Sequence, residues 1–128
     1  MTRSQVFTGA PESVGAARRF TTEALGGVDP QVRDAVELMV SELATNSVRH
    51  AETAFELTVS QRSGEIRVEV TDQAGGKPRM RSAGPEDPTG RGLQIVNLLA
   101  DAWGVQRHAT TGKTVWFTVS APCAVGPR

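Results

Sequence analysis

The chain has 128 residues, the size of one domain with a single hydrophobic core. Fourteen Lys and Arg residues balance fourteen Asp and Glu residues, so the positive surface of a nucleic-acid-binding protein is absent and we expect no such partner. No apolar stretch has the length of a signal peptide or a membrane span, and the single cysteine, Cys123, can form no internal disulfide. These features predict a cytoplasmic protein with one domain, residues 1–120, and a flexible tail, residues 121–128.

The N-terminal part of the chain predicts a short strand followed by two helices. Residues 5–8 can form an edge strand, and residues 12–25 have one apolar side at helical spacing, ended by the glycine pair 26–27. Asp29 and Pro30 are typical of a helix N-cap and first turn, so a second helix is expected to begin there.

This second helix carries three polar residues at four-residue spacing: Glu42, Asn46 and His50. At about 100° per residue they share one face and follow the edge of the apolar stripe that contains Val36 and Leu43. A carboxylate half-buried at such an edge needs a hydrogen-bonding partner or a ligand. Two interpretations stay open at this point: polar side chains satisfied by neighbouring backbone, or one wall of a binding site.

The spacing of apolar residues changes from helical to alternating after Ala51. Residues 55–60 and 66–71 alternate between apolar and polar, and the turn at 62–64 between them predicts a β-hairpin. The inward row of the second strand ends on Asp72, where a buried carboxylate is costly unless something donates hydrogen bonds to it.

A long stretch rich in glycine and proline, residues 73–91, has no periodicity and is typical of a lid or binding loop. Its last part, Gly90-Arg91-Gly92, opens into a third helix expected to stop near Trp103-Gly104. A glycine-rich turn at a helix N-terminus presents free N–H groups that suit a phosphate. Two strands, 105–109 and 114–120, complete an order that predicts an α+β fold: a two-layer sandwich of a mostly antiparallel sheet with helices on one face.

Two glycine motifs do not fit well-known nucleotide folds. Gly112-Lys113-Thr114 resembles the end of a P-loop, but Arg107 stands where that motif needs glycine, and a strand follows. Gly90-Arg91-Gly92 lacks the third glycine of a dinucleotide fingerprint, because that position is Ile95. Neither histidine has cysteine or carboxylate neighbours at zinc spacing, so a structural metal is not expected.

Four separated features together predict a nucleotide pocket. Asp72 can accept a hydrogen bond from an exocyclic amine, and the glycine pair 75–76 lets the backbone approach a flat ring. The residues 90–92 can wrap phosphates. Asn46 offers a carbonyl oxygen, the kind of ligand that a hard divalent cation prefers.

The same residues resemble the sequence boxes of the GHKL (Bergerat-fold) ATPases, in the form typical of anti-sigma-factor serine kinases of the RsbW type. The resemblance covers residues 13–119, and its specificity lies in four boxes in the right order and spacing. The boxes are Glu42-x-x-x-Asn46-x-x-x-His50-Ala51, Val70-Thr71-Asp72-x-Ala74-x-Gly76, Gly90-Arg91-Gly92-Leu93-x-Ile95-Val96 and Gly112-Lys113-Thr114-Val115-Trp116.

The resemblance implies ATP and Mg²⁺ as cofactors and transfer of a phosphoryl group from ATP to a serine or threonine of a partner protein. It makes Glu42 the general base, Asn46 the Mg²⁺ ligand and Asp72 the acceptor for the adenine amino group. The implied protein partners are a sigma factor and an anti-sigma-factor antagonist, with a second copy of the chain as an implied dimer partner and no membrane. The other implied nucleotide-binding residues are Gly76 and Thr114 at the adenine, and Gly90, Arg91, Gly92 and Leu93 in the glycine box.

One departure from the family pattern leaves a second function open. The second box normally has glycine two places after the aspartate, and here that position is Ala74, which would strain a turn with positive φ. The alternative to a kinase is therefore a non-catalytic GHKL-like regulator that binds nucleotide and sequesters a protein partner.

Overall fold

The computed structural model describes residues 1–51, 53–72, 88–108 and 112–121. In that part of the chain, one strand and two helices precede a β-hairpin, and a third helix precedes the last two strands. The elements are β1 (Thr2–Phe7), α1 (Glu12–Ala24), α2 (Pro30–Asn46), a π-helix (Ser47–Ala51), β2 (Phe55–Arg62), β3 (Glu65–Asp72), α3 (Pro88–Leu99), β4 (Ala102–His108) and β5 (Gly112–Ser120).

The five strands form one sheet in the order β1-β2-β3-β5-β4, and each neighbouring pair is antiparallel. The helices cover one face of this sheet, because the buried apolar residues of the strands all point to the same side and pack against those of the helices. The predicted two-layer α+β sandwich is confirmed. Among the described residues, the largest fully buried apolar side chains are Phe55, Phe117, Leu25, Met39, Leu57, Ile66, Val36, Val40, Val59, Val68 and Val96.

The central hairpin β2–β3 forms where the alternating pattern predicts it. Arg62 pairs with Glu65, so the loop has only two residues, Ser63 and Gly64. Both have positive φ, 54° and 77°, which is the backbone twist that a tight hairpin requires. The pairing continues to Phe55 opposite Asp72, which places the buried carboxylate at the far end of the hairpin.

The first strand begins earlier than its sequence pattern predicts. We expect a strand over residues 5–8, but β1 starts at Thr2, because residues 2–4 are polar on both faces and give no alternating signal. They pair with β2 through the backbone, and the Ser4 and Thr58 hydroxyls hydrogen-bond across the strands at 2.9 Å. The start of β1 is therefore determined by its pairing with β2 and not by an alternation of apolar and polar residues.

The second helix begins as predicted, with Asp29 before it and Pro30 in its first turn. It does not continue as an α-helix to His50, because a π-helix follows from Ser47 to Ala51. A π-helix bonds residue i to i+5 and therefore turns the chain less per residue. The α-helical spacing from which a shared face of Glu42, Asn46 and His50 is predicted therefore ends at Asn46, and the side chain of His50 lies outside the described residues.

The third helix begins before the glycine box and ends before Trp103. Residues 90–92 lie inside the first turns of α3 instead of in a turn that precedes it, and residues 73–87 of the predicted loop lie outside the described residues. The chain leaves the helix at Leu99 because Asp101 joins it to the sheet: its backbone N–H donates to the Thr118 carbonyl at 2.8 Å, and its carboxylate accepts from Ser120. Strand β4 consequently starts at Ala102.

Two further observations concern the ends and surfaces of this fold. Ala121, the first residue of the predicted tail, is buried and donates its N–H to the Gly64 carbonyl at 2.8 Å, while residues 122–128 lie outside the described residues. In the described part of the chain, no helix has the length and apolar character needed to cross a membrane.

Candidate functional site

A small pocket with a cavity volume of about 20 Å³ lies where the C-terminal end of α2 meets α3 and the adjoining ends of β3 and β5. Its walls combine four apolar residues with four that carry polar or charged side chains, Asn46, Ser47, Asp72 and Lys113, and such polar groups can fix the orientation of a ligand. The residues that line it are Leu43, Asn46, Ser47, Val70, Asp72, Leu93, Lys113 and Val115.

Asp72 is the buried carboxylate of this pocket. It is the last residue of β3, on the face that the helices cover, and its side chain is 6% exposed. The ammonium group of Lys113, whose side chain is 31% exposed, donates to Asp72 Oδ2 at 2.9 Å. The hydrogen-bond donor that the position of Asp72 requires is therefore supplied in part by the neighbouring strand.

Asn46 faces the same pocket from the last residue of α2. The π-helix starts immediately after it, and the Ser47 N–H is shared between the carbonyls of Leu43 and Ala44. Wide turns of this kind are rare, occur mostly as single turns within α-helices, and are frequent at functional sites. Here the wide turn lies in the pocket wall, since Ser47 is also a lining residue.

The donor set of the pocket fits Mg²⁺ only as an ion shared with other oxygen ligands. Within the described residues, no group of three or more His, Cys, Asp or Glu could hold a metal ion. Asn46 contributes one amide oxygen, and Mg²⁺ in nucleotide sites is commonly held by one or two protein oxygens together with water and substrate phosphates. A single protein ligand is compatible with that arrangement.

Glu42 is half-buried on α2, one helical turn before Asn46. It is not among the described residues that line the pocket, although its neighbour Leu43 is. The structure thus places this carboxylate beside the pocket wall rather than in it. A group that acts on the far end of a bound nucleotide does not have to contact the part of the pocket that surrounds Asp72.

Thr114 and Lys113 lie on opposite faces of β5, and the face decides which one reaches the pocket. The Thr114 hydroxyl is on the helix-free face, hydrogen-bonded to Thr71 Oγ1 at 2.7 Å and to His108 Nε2 at 2.8 Å. Lys113 lines the pocket, and the assignment of binding residues from the family boxes missed it. Alternation could have found it, because Lys113 shares its face with the inward-pointing Val115.

The glycine box contributes one side chain to the pocket and its backbone to the N-terminus of α3. Leu93 lines the pocket from α3. The backbone of Gly90 and Arg91 lies in the first turn of α3, where N–H groups have no intrahelical acceptor and the helix dipole favours an anion. Gly92 follows in the same helix, the Arg91 side chain lies outside the described part of the chain, and so does Gly76.

Comparisons with known proteins place this geometry in a family. The family model described as the histidine kinase-like ATPase domain matches residues 7–119. No curated protein sequence matches the chain with significance.

Two solved structures share the fold at low sequence identity. The RsbU and RsbW domains of Rv1364c from Mycobacterium tuberculosis match 94% of this chain with a TM-score of 0.75 and 17% identity. Full-length ShkA, solved in complex with AMPPNP, matches 97% of the chain with a TM-score of 0.57 and 19% identity. The chain spans about a third of the length of each, 32% and 33%. With the family match over 7–119, the pocket beside Asp72 and the antiparallel sandwich around it, the chain belongs to the histidine kinase-like ATPase family, the GHKL ATPases, and has an RsbW-like fold.

Proposed function

We propose that this protein is a serine/threonine protein kinase of the anti-sigma-factor type, which binds Mg-ATP and phosphorylates an anti-sigma-factor antagonist. The observation that carries the proposal is the pairing of a buried carboxylate, Asp72, with an amide, Asn46, across one small pocket of a histidine kinase-like ATPase fold. The likeness to an RsbW domain and to a protein solved with AMPPNP supports the choice of ATP and of this kinase class.

The residues around Asp72 would recognise the adenine base. A carboxylate only accepts hydrogen bonds, so the buried Asp72 in the pocket wall suits the amino group of adenine. The apolar walls, Val70, Leu93 and Val115, suit the faces of a flat ring. Gly76 and Thr114 remain proposed adenine-site residues on the family resemblance alone.

The phosphate end of the nucleotide is assigned to α2 and α3. Asn46 would hold Mg²⁺ through its side-chain oxygen, and the ion would neutralise charge on the phosphates during transfer. Gly90, Arg91 and Gly92 would hold the phosphates at the positive end of α3, where the first N–H groups are without helical acceptors.

Glu42 decides whether the protein is an enzyme. As general base it would accept the proton of the attacking serine or threonine hydroxyl as the γ-phosphoryl group moves to that oxygen and ADP leaves. Its half-buried position one turn from Asn46 keeps it near the proposed metal, outside the part of the pocket that surrounds the base.

The test separates binding from transfer with two matched variants of α2. Glu42→Gln and Asp34→Asn each replace a carboxylate by its amide, and Asp34 is exposed and away from the pocket. Calorimetric titration with AMPPNP and Mg²⁺ measures binding, and γ-labelled ATP with an antagonist protein from the same organism measures transfer. We expect Glu42→Gln to keep AMPPNP affinity and to lose transfer by roughly 10²- to 10⁴-fold, the usual contribution of a general base, while Asp34→Asn behaves as the parent.

The other outcomes assign the protein differently. Transfer by Glu42→Gln at the parental rate would mean that another group is the base. Nucleotide binding without transfer in the parent would favour the second candidate, a nucleotide-binding regulator that sequesters a partner, which the alanine at position 74 motivates. Absence of AMPPNP binding in the parent would exclude both.

A further inference from the structure

The ion pair between Lys113 and Asp72 places a hydrogen-bond donor beside the acceptor proposed to read the base. The two side chains come from adjacent strands, since the β3–β5 register ends with Thr71 opposite Thr114 and one step further brings Asp72 opposite Lys113. Their charged atoms are 2.9 Å apart, and both residues line the pocket. A ligand that reaches Asp72 therefore meets the ammonium group as well.

Arg107 on the neighbouring strand β4 favours the position of the Lys113 ammonium group beside Asp72. In β4, Arg107 stands directly opposite Lys113, and like charges in cross-strand positions repel each other. Arg107 is exposed, whereas Asp72 is the anion within hydrogen-bond distance of Lys113. Repulsion from one side and attraction from the other favour the same position of the lysine.

A carboxylate alone would discriminate strongly between purines. Adenine carries an amino donor at C6, whereas guanine carries an oxygen acceptor there. A carboxylate accepts hydrogen bonds and donates none, so it pairs with the amino group and repels the oxygen. An ammonium group has the opposite preference, and Lys is a common partner of the guanine O6 atom.

From this juxtaposition we propose that Lys113 determines base specificity and makes the pocket accept 6-oxopurine nucleotides as well as adenine nucleotides. The inference rests on the proposed function of the pocket as a nucleotide site. With an adenine base, Asp72 accepts from the amino group. With a guanine or hypoxanthine base, Lys113 donates to O6, and Asp72 accepts from the adjacent ring N–H. The flexible four-carbon stem and 31% exposure of the lysine let the ammonium group adjust between these two bases.

The test compares the affinities of AMPPNP and GMPPNP by calorimetry in the same Mg²⁺ buffer. We expect the parent to bind the two within about tenfold of each other, the energy of one modest hydrogen bond. Lys113→Met removes the donor and should raise the ratio of the two dissociation constants roughly 10- to 100-fold against GMPPNP, the loss expected for a hydrogen bond from a charged group. Lys113→Arg keeps a donor and should retain most of the parental ratio.

Two controls separate base recognition from general attraction of phosphates. Arg62→Met removes an exposed positive charge at the end of the hairpin away from Asp72 and should leave the ratio unchanged. Inosine triphosphate has the 6-oxo group without the 2-amino group, so in competition against AMPPNP it should follow the guanine nucleotide.

The results also distinguish this inference from the proposed function. If AMPPNP binds the parent and Asp72→Asn weakens it, but GMPPNP binds more than about a thousandfold less tightly, the inference alone is wrong, since that ratio exceeds what a donor at Lys113 would permit. The inference alone is also wrong if Lys113→Met leaves the ratio of the GMPPNP and AMPPNP dissociation constants unchanged. If neither nucleotide binds the parent, the nucleotide site itself is refuted and the inference falls with it.

Discussion

Gly104 on strand β4 allows the Trp116 ring to lie flat across the helix-free face of the sheet. The two residues are directly opposite each other, and a Cβ atom built on Gly104 would lie 2.8 Å from Trp116 Nε1 and 2.9 Å from Cζ2. The guanidinium carbon of Arg67 lies 4.4 Å from the ring centroid. Gly104→Ala should therefore displace the ring and weaken its contact with the guanidinium group.

The size of the effect follows from three contributions to the free energy of unfolding. Forcing a methyl group into a filled space costs about 1–3 kcal/mol, at the low end here because the half-buried ring can move toward solvent. The weakened cation–π contact adds about 0.5–1 kcal/mol. Alanine lowers the conformational entropy of the unfolded chain, which stabilises the folded protein by about 0.4–1 kcal/mol because the φ of Gly104 is not positive. We expect a net destabilisation of about 1–2 kcal/mol.

Urea unfolding followed by circular dichroism measures this difference, and tryptophan fluorescence reports the surroundings of Trp103 and Trp116 together. Gly26→Ala is the matched control, because its Cβ would have no atom within 4 Å and its φ is not positive. It should be neutral or slightly stabilising. In a Trp116→Leu background Gly104→Ala should cost less than in the parent. Equal costs in the two backgrounds, or parental stability of Gly104→Ala, would refute the reasoning.

Two further predictions concern the core and the central hairpin. Phe55→Ala removes a fully buried ring that stacks on Phe7 at 5.5 Å between centroids, and should lower the free energy of unfolding by about 3–5 kcal/mol in the same urea assay; a cost below about 1 kcal/mol would contradict the burial. Ser63→Gly replaces a serine that has a φ of 54° and should be neutral to stabilising by up to about 1 kcal/mol, because glycine adopts positive φ without strain. Marked destabilisation by Ser63→Gly in thermal unfolding would show that the turn does not have this conformation.

The parts of the fold that the sequence predicts best are those where burial imposes a period. Phe55, Leu57 and Val59 alternate because one face of β2 packs on the helices, and the short turn at Ser63 fixes the register of the hairpin. The same alternation, continued along β3, predicts the inward position of Asp72. The carboxylate of the candidate site is therefore encoded in a local pattern of residues.

The features that the sequence does not predict depend on contacts between distant segments. The start of β1 at Thr2 depends on pairing with β2, and the start of β4 at Ala102 depends on the link from Asp101 to β5. Gly104 is typical of a helix stop, although its lack of a side chain serves the packing of Trp116. None of these three effects is visible in a local window of residues.

In the candidate site, too, some residues are predicted by local sequence patterns and others are not. Asn46 and Asp72 meet in one pocket, as expected from residues on the edge of a helix and the end of a strand. Lys113 is absent from the predicted site because the family box indicates Thr114, whereas the alternation of β5 points the lysine inward. The assignments of Glu42, Gly76, Thr114 and the glycine box to nucleotide chemistry stay predictions.

The π-helix after Asn46 has a consequence for how changes in chain length are tolerated. A π-turn holds one residue more than an α-helical turn. The segment from Ser47 to Ala51 therefore contains one residue more than an α-helical connection between α2 and the following hairpin would need. A deletion inside α2 would rotate all later residues of that helix by about 100° relative to the core. A deletion inside the wide turn would restore ordinary helical bonding and leave the faces on both sides in place. The wide turn thus separates the alignment of the helix, which sets Asn46, from that of the strands, which set Asp72.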